Sequence, residues 1–392
     1  MLYVGIDVAK SKHDCFITNS DGEHLLGSFS VENSISGFNK LYESILSFEK
    51  TPSLLNTRVG LEATGHYSNN IIDFLIRKNL NPVVFNPLST NLFRKGLSLR
   101  KIKTDKSDAR FMTMMLMSED TTPYLPVSYH ISELKALSRN RFRLVKSRSR
   151  AKVALSRLID VIFPELAQNV WSVSQKSMLF TLLELPNTAA VASCHLTRLA
   201  NLLSKYSRGK YGKGKATELR ELAKNSIGSN SPALAFELKQ TIRSILFFQG
   251  EICLVDKQIK RLMDETVSPV MSIPGISYTL AATIVSEVGD IDRFDTPAKL
   301  LAFAGLEPST HQSGKYTATH NVMVKRGSKY LRWALLEAAR LVCMRNRVFA
   351  SHRNKKIAEG KHYFVALSHV AKKLTRIIFY LLKSGEQFRQ PA

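Results

Sequence analysis

The residues best suited to chemistry are two aspartates in the stretch KTDKSDARF, at positions 103–111. Asp105 and Asp108 are the only acids between Asp73 and Glu119, and their neighbours are mostly basic or apolar. Positions i and i+3 share one face of a helix, so both carboxylates can point the same way. Taken alone, Asp105 could also be a capping acid in the first turn of that helix.

Two further acids close predicted strands. Asp7 follows the apolar run LYVGI, and Glu62 ends the run TRVGLE. Because strand ends of an α/β sheet meet at a common edge, we expect Asp7, Glu62, Asp105 and Asp108 to converge there. Four carboxylates suit hard cations such as Mg²⁺, and two metal ions about 4 Å apart can stabilise both oxygens of a phosphodiester displacement. Glu62 alone could be an ordinary loop carboxylate.

The elements that must position these acids form a predicted α/β domain at residues 1–122. Three β-rich runs open the chain, residues 34–49 have helical spacing, and TRVGLE and NPVVFNP read as later strands between helices. Three strands followed by alternating helices and strands is the order of a ribonuclease H-like fold. Pro123 and Pro126 mark the predicted boundary.

A helical middle region at residues 123–265 is predicted from two rows of apolar residues repeated every seventh position. Such rows form the seam of a coiled coil, so we expect two long helices to pair, either within the chain or between chains. A plain intramolecular helical core would give the same rows. The first row contains Leu137, Leu144, Ala151 and Leu158, and the second contains Leu238, Ile245, Ile252 and Ile259.

Positive charge is concentrated in this middle region. Residues 135–159 contain nine Lys or Arg and no acid, and Arg141 and Arg148 are candidate contacts for nucleic acid. Residues 205–215, KYSRGKYGKGK, contain five basic residues and three glycines, which predicts a mobile loop able to touch phosphates. The same run could equally be solvated surface.

The composition limits the classes of function. The 392 residues include 56 Lys and Arg against 32 Asp and Glu, a net charge of +24. Such an excess indicates a polyanionic partner, and nucleic acid is favoured over a membrane because no apolar run reaches the roughly 18 residues that a span requires. The start MLYVGIDVAK does not read as a signal peptide, so we expect a cytoplasmic protein. The four cysteines stand singly, which argues against zinc or disulfides.

Several motifs together resemble a known family. YVGIDVAKSKHD, GLEATGHY, VFNP and KTDKSDA resemble the amino-terminal domain of the DEDD transposases of IS110 insertion sequences, whose fold is like that of the RuvC Holliday-junction resolvase. IPGISYTLAATIVSEVGDIDRF, LLAFAGLEP, SGKY and KRGSKYLRWAL resemble that family's second, mostly helical domain, here residues 266–392. YSRGKYG and LAKNSIG extend the resemblance across the middle, so it covers nearly the whole chain.

The resemblance implies a site-specific DNA recombinase that moves its own element. It implies guidance by a structured non-coding bridge RNA that pairs with target and donor DNA. By motif match, the family's four metal-binding acids fall on Asp7, Glu62, Asp105 and Asp108, and its nucleophilic serine on Ser313 in HQSGKY. It also implies a homo-oligomer, a dimer or tetramer, in which the serine of one protomer completes the acidic site of another.

The predicted serine segment, PSTHQSGKYTATH, offers several hydroxyl groups that sequence chemistry alone cannot rank. Gly314 favours Ser313, because glycine permits close approach of the backbone to DNA. A serine hydroxyl beside a metal-polarised phosphate can form a covalent phosphoserine.

The stretch IPGIS resembles a helix-hairpin-helix turn, in which Gly275 would let backbone amides at a helix start face a phosphate. The candidate phosphate contacts near the serine are Lys315, Lys325, Arg326, Lys329 and Arg332.

Two other functions remain open at this point. One is a structure-selective nuclease of the Holliday-junction type, which uses water as the nucleophile and needs neither serine nor RNA. The other is a non-catalytic basic protein that binds nucleic acid and whose acids are helix caps and surface groups. Binding by such a protein would fall steeply with salt, and replacing Asp7 would leave its activity intact.

Overall fold

The computed structural model describes residues 1–48, 56–97, 105–118, 129–309, 312–313, 316–317 and 322–390. The chain divides into two compact units, Met1–Pro126 and Val127–Ala392. The finer division into three domains, with boundaries at residues 122 and 265, stays a prediction.

A five-stranded mixed sheet forms the centre of the first unit. Its spatial order is β3-β2-β1-β4-β5, in which β1 pairs with β2 antiparallel and with β4 in parallel. The three opening strands and the later strands lie where the β-rich runs of the sequence predicted them. The strands are β1 Leu2–Val8, β2 Lys12–Asn19, β3 His24–Glu32, β4 Thr57–Glu62 and β5 Pro82–Phe85.

Helices cover both faces of this sheet. Val4 and Ile6 of β1 are fully buried and belong to one apolar core with α1 and α2, whereas Tyr3, the residue before Val4, packs with α4 on the opposite face. This alternation follows from the two-residue period of side chains in a strand. The helices of this unit are α1 Ile35–Phe48, α2 Asn69–Arg77, α3 Pro87–Leu97 and α4 Asp105–Ser118.

Two glycines let α4 lie very close to the sheet. A Cβ atom built on Gly5 would lie 2.1 Å from the carbonyl oxygen of Ala109, and one built on Gly60 would lie 2.8 Å from the side chain of Leu116. Any larger residue at Gly5 would therefore collide with the backbone of α4. The motif YVGID thus fixes where α4 crosses β1.

Two long helices, α5 Tyr129–Ile162 and α11 Pro232–Thr266, pack against each other in the second unit. They run antiparallel, because Arg141 pairs with Asp256 near one end and Arg157 with Glu237 near the other. The apolar row on α11 is buried, as its heptad spacing predicted: Leu238, Ile245, Ile252 and Ile259 are all at most 3% exposed. The pairing is within one chain, and pairing between chains stays a prediction.

Short helices fill the region between α5 and α11, and they correct one expectation. Residues 205–215 do not form one continuous loop: α9 extends to Ser207 and α10 begins at Lys213, so only residues 208–212 connect them. Leu203 and Leu219 anchor these helices in an apolar core, which outweighs the local glycine and charge content. The helices are α6 Leu166–Asn169, α7 Lys176–Glu184, α8 Thr188–Ser193, α9 Leu196–Ser207 and α10 Lys213–Lys224.

The carboxy-terminal part is a helical core with a small hairpin. Small residues such as Ala281, Ala338 and Ala371 are fully buried where its helices meet. Among the described residues, no helix has the length and apolar character needed to cross a membrane. The elements are α12 Tyr278–Val288, α13 Pro297–Ala304, β6 Gln312–Ser313, β7 Tyr316–Thr317, α14 Lys329–Arg345, α15 Arg347–Ala358 and α16 Tyr363–Ser384.

Candidate active site

Asp7 and Glu62 lie at the same edge of the sheet. Asp7 is the penultimate residue of β1, Glu62 is the last residue of β4, and these strands pair in parallel. Side chains alternate along a strand, so Asp7 shares the face of Gly5 and Glu62 shares the face of Gly60. Both glycines face α4. The two carboxylates therefore belong to neighbouring strand ends on the face that α4 covers.

Asp108 approaches the same place from α4. The neighbouring Ala109 is the residue whose carbonyl oxygen faces Gly5, two positions before Asp7, and Asp108 itself is only 4% exposed. Asp105 opens α4 one turn earlier, and its side chain lies outside the described part of the chain. The predicted aspartate pair is thus on the first turn of the helix that crosses β1.

Helix α3 contacts two of these carboxylates. The Thr90 hydroxyl donates a hydrogen bond of 2.9 Å to Glu62 Oε2, and Arg94 Nη2 lies 3.0 Å from Asp108 Oδ1. Thr90 and Arg94 are four positions apart and so share one face of α3. Sequence reasoning missed both, because a threonine and an arginine at this spacing occur on many ordinary surface helices.

Asp14 on β2 is a further acid that sequence reasoning missed. It lies directly opposite Asp7 in the antiparallel ladder and is 3% exposed. Like charges directly opposite each other destabilise a sheet unless they are compensated. Lys12 Nζ lies 3.4 Å from Asp14 Oδ2, and the Ser30 hydroxyl donates a hydrogen bond to Asp14 Oδ1. Neighbours in β2 and β3 therefore compensate this carboxylate.

The donors at this edge are carboxylate oxygens, the ligands that Mg²⁺ prefers. Within the described residues, no group of three His, Cys, Asp or Glu has an arrangement that could hold a metal ion, and the Asp105 side chain is not among those residues. Asp7, Glu62 and Asp108 share one sheet edge, and the guanidinium of Arg94 already lies beside Asp108. The chemistry of this donor set fits a hard divalent cation, and the ligand assignments stay predictions.

The cysteines contribute no ligand group to this edge. Cys15, Cys194 and Cys343 are buried, and Cys253 is exposed. Burial, with smaller contributions from the charges of Asp14 and Asp7, raises the pKa of the Cys15 thiol far above its ordinary value. Cys15 is thus a buried neutral thiol.

The predicted nucleophile belongs to the hairpin of the second unit. Ser313 ends β6, and its backbone pairs with Tyr316 of β7. The Ser313 side chain lies outside the described part of the chain, as does the whole of Lys315. The competing hydroxyl of Ser309 accepts a hydrogen bond of 3.1 Å from the backbone nitrogen of Val322. Ser309 therefore has a structural role, and the role of Ser313 stays a prediction.

The predicted phosphate contacts near α14 differ in their surroundings. Lys325, Arg326 and Lys329 are exposed to solvent. Arg332 is partly buried, and its Nη1 donates hydrogen bonds to the carbonyl oxygens of Lys325 at 2.9 Å and Ala304 at 3.4 Å. Arg332 therefore ties the end of α13 to the start of α14, while the other three side chains are accessible to a phosphate.

Gly275 has a packing role in the structure. Its φ is +100°, and a Cβ atom there would lie 2.9 Å from the carbonyl oxygen of Leu341 on α14. Both features require glycine. A cavity of about 400 Å³ opens beside this turn and is lined in part by Ser277 and Arg345. Phosphate binding at this turn stays a prediction.

The two predicted nucleic-acid contacts on α5 have partners within the chain. Arg141 forms an ion pair with Asp256 of α11, and Arg148 donates a hydrogen bond to the side-chain oxygen of Gln249. Both arginines therefore help to join α5 to α11. A role for either one in binding nucleic acid stays a prediction.

A second buried carboxylate, also missed from the sequence, lies in the second unit. Arg139 donates two hydrogen bonds to Glu287, from Nε at 2.6 Å and from Nη2 at 3.0 Å, and the Ser328 hydroxyl donates a third at 2.8 Å. Burial alone would raise the pKa of Glu287. The hydrogen bonds and positive charge of Arg139, helped by Ser328 and Lys135, outweigh burial and hold that pKa below its ordinary value.

Comparison with known proteins extends these observations. A family model described as transposase matches residues 4–164. A second model, described as transposase of the IS116/IS110/IS902 family, matches residues 267–354. The two matches contain the candidate acids and the candidate serine respectively, and together they cover more than half of the chain.

Several relatives match this chain over nearly its full length, and others match part of it. The insertion element IS116 uncharacterized 44.8 kDa protein of Streptomyces clavuligerus is 25% identical over 99% of this chain and 96% of its own length. The pilin gene-inverting protein of Moraxella lacunata is 23% identical over 98% of this chain and 97% of its own length. An IS110 protein of Streptomyces coelicolor is 32% identical over 35% of each chain. With both halves matched in order, this chain belongs to the IS116/IS110/IS902 family of transposases.

Proposed function

We propose that the protein is a Mg²⁺-dependent DNA recombinase that cuts and rejoins strands through a covalent phosphoserine and takes its target sites from a structured RNA. The observation that carries the proposal is the meeting of Asp7 and Glu62 at neighbouring strand ends, on the face where α4 brings in Asp108. The sheet order is consistent with a ribonuclease H-like domain. The name of the pilin gene-inverting relative supports rejoining as well as cutting.

Asp7, Glu62, Asp105 and Asp108 would hold the metal ions. When bound, the metal ions would supply positive charge that stabilises the oxygens gaining charge during phosphodiester displacement. Thr90 would keep the Glu62 carboxylate in place through its hydrogen bond. The close contact between α4 and Gly5 would keep Asp108 beside Asp7.

Ser313 would attack the DNA phosphorus with its hydroxyl oxygen. A bond would form between Ser313 Oγ and phosphorus, the bond from phosphorus to one bridging sugar oxygen would break, and that oxygen would take a proton as the serine loses one. Attack on the phosphoserine by a sugar hydroxyl of the partner strand would reverse these steps and release the serine. The number of phosphodiester bonds is thus conserved without an external energy source.

The excess positive charge would hold the nucleic acids. The net charge of +24 favours binding to phosphate backbones. Lys325, Arg326 and Lys329 are exposed close to the hairpin that contains Ser313 in the chain, so they are the best placed of the described candidates. An RNA bound through its shape and backbone would leave its unpaired bases free to select target and donor DNA.

We also propose a three-domain organisation and a homo-oligomer. The predicted division at residues 122 and 265 would separate an acidic domain, a helical middle region and a serine domain. A homo-oligomer would then allow the serine of one protomer to act at the acids of another. The absence of a spanning helix among the described residues fits a protein that meets DNA in the cytoplasm.

The test is a search for a covalent adduct. The full-length protein would be incubated with its copurified RNA, labelled DNA and Mg²⁺, and then denatured so that only covalent protein-DNA products migrate slowly. We expect an adduct with wild type and with Ser309→Ala, the matched control, but none with Ser313→Ala or when EDTA replaces Mg²⁺.

Other outcomes would reject the proposal in defined ways. An adduct that persists in Ser313→Ala would contradict the assigned nucleophile. Cleavage without any adduct would indicate a water-dependent nuclease. Binding without Mg²⁺-dependent cleavage, insensitive to Asp7→Asn, would indicate a non-catalytic nucleic-acid-binding protein.

A further inference from the structure

We propose that Arg94 forms an ion pair with Asp108 in the metal-free protein and that this ion pair must break when a divalent ion binds Asp108. This inference rests on the proposed metal site. In this proposal α3 stabilises the acidic edge of the sheet before metal binds. Its Arg94 side chain moves away from that edge when metal binds.

Arg94 lies in contact with the buried carboxylate of Asp108. Its Nη2 lies 3.0 Å from Asp108 Oδ1, and the two side chains are only 21% and 6% exposed. A guanidinium remains charged at any physiological pH. An uncompensated carboxylate at this depth would be costly, so the ion pair stabilises the metal-free fold.

The geometry of this ion pair indicates how firmly Arg94 is held. Arg94 Nε is buried and has no hydrogen-bond partner among the described residues, and the guanidinium carbon lies 5.8 Å from the centre of the Phe111 ring. Arg94 thus approaches Asp108 without using its full fork of donors. A guanidinium that leaves a buried donor unused is held less firmly than one with both donors engaged.

Arg94 and a divalent ion would compete for Asp108, because both are positive and both would lie beside the same carboxylate. A divalent ion must lie about 2 Å from a carboxylate oxygen, close to where the guanidinium donor now lies. Two positive groups at that separation repel each other strongly in a partly buried site. Arg94 must therefore move away when metal binds Asp108, whereas Thr90, a neutral neighbour of Glu62, can remain.

The sign of one substitution tests this role. Mn²⁺ would be titrated into full-length protein, with the free ion measured by electron paramagnetic resonance. We expect Arg94→Gln to bind Mn²⁺ roughly tenfold more tightly than wild type, because the variant removes a positive charge that the ion would otherwise have to displace. The matched control is Lys95→Gln, which removes an exposed charge from the same helix and should change affinity less than twofold.

Two further measurements make the interpretation specific. Without metal, Arg94→Gln should lower the melting temperature more than Lys95→Gln does, because Asp108 loses its counter-charge. In an Asp108→Asn background, Arg94→Gln should no longer tighten Mn²⁺ binding, since the competing pair is already broken.

Failure of this inference can be told apart from failure of the proposed function. If Arg94→Gln binds Mn²⁺ equally or more weakly while wild type still forms the DNA adduct, Arg94 does not compete with metal and only this inference is overturned. If no variant binds Mn²⁺ and wild type forms no adduct, the metal site itself is wrong and both proposals fall.

Discussion

Two buried carboxylates, one in each unit, meet an arginine in different ways. Glu287 receives two hydrogen bonds from Arg139 and one from Ser328, and its side chain is only 1% exposed. Asp108 meets Arg94 through Nη2, while Arg94 Nε has no hydrogen-bond partner among the described residues. Arg139 therefore donates from both Nε and Nη2 to one carboxylate, whereas Arg94 leaves its Nε without a described partner.

This difference fits a structural role for the Glu287 ion pair and the role in metal binding that we propose for Asp108. A buried charge that is fully hydrogen-bonded fixes the packing around it, and breaking it costs much stability. Arg139 and Ser328 join α5 to the start of α14 through Glu287 in this manner. Asp108 lies instead near the sheet edge that contains Asp7 and Glu62, where we propose that a metal ion binds. Stability should therefore depend on Glu287, and activity on the sheet-edge acids.

The largest expected effect concerns Asp7. We expect Asp7→Asn to reduce formation of the DNA adduct at least about 10²-fold, the scale of losing one group that stabilises a transition state. Its free energy of unfolding should change little, because the substitution removes a charge that faces Asp14. A gel assay for the adduct and urea denaturation would measure the two quantities. If Asp7→Asn formed as much adduct as wild type, activity would not depend on this sheet-edge acid.

Glu287→Gln should show the opposite behaviour. We expect the free energy of unfolding of the second unit to fall by about 2 kcal/mol as Arg139 loses its charged partner. This is less than the cost of breaking a fully buried ion pair, because the Arg139 side chain is 40% exposed. Urea denaturation followed by tryptophan fluorescence would measure it, since Trp171 and Trp333 are both in this unit. The matched control is Glu337→Gln, which breaks a more exposed pair with Arg340. Equal losses in the two variants would contradict a special role for Glu287.

The pH dependence of stability should be a smaller effect at the same site. The pKa of Glu287 is lower in the folded protein than in the unfolded chain, where a glutamate titrates near about 4.3. The ion pair therefore contributes its full stability above that pH and loses it as the pH falls through the lower, folded pKa. The stability difference between wild type and Glu287→Gln should be constant above about pH 5 and shrink below about pH 4. A constant difference down to pH 3 would contradict the assignment.

The smallest expected effect concerns Thr90. We expect Thr90→Val to weaken Mn²⁺ binding roughly tenfold or less, because Glu62 would lose the hydroxyl that orients it. Ser89→Ala, at an exposed neighbouring position on α3, is the control. Titration with Mn²⁺ would distinguish the variants. An unchanged affinity in Thr90→Val would show that Glu62 needs no such support.

Much of the acidic edge was predictable because it follows local rules. Asp7 and Glu62 lie at or next to the ends of apolar strands, and those strands lie where the β-rich runs indicated. Arg94, Thr90 and Asp14 were not predictable, because their contacts join separate helices or neighbouring strands and no local pattern marks them.

The second unit was less predictable for related reasons. The heptad row on α11 correctly indicated a buried helix face, since burial imposes its period on the sequence. The loop predicted at residues 205–215 was wrong at both ends, because tertiary burial of Leu203 and Leu219 extended α9 and α10 into a glycine-rich and charged segment. The Glu287 network was hidden because Arg139 and Glu287 are 148 positions apart.

The position of Mn²⁺ in crystals of the full-length protein grown with that ion tests the proposed metal site most directly. We expect an anomalous peak at the sheet edge, within direct bonding distance of Asp7 and of Asp108 or Glu62, with Arg94 moved away from Asp108. Well-ordered crystals in which these carboxylates bind no Mn²⁺ and Arg94 still contacts Asp108 would contradict it.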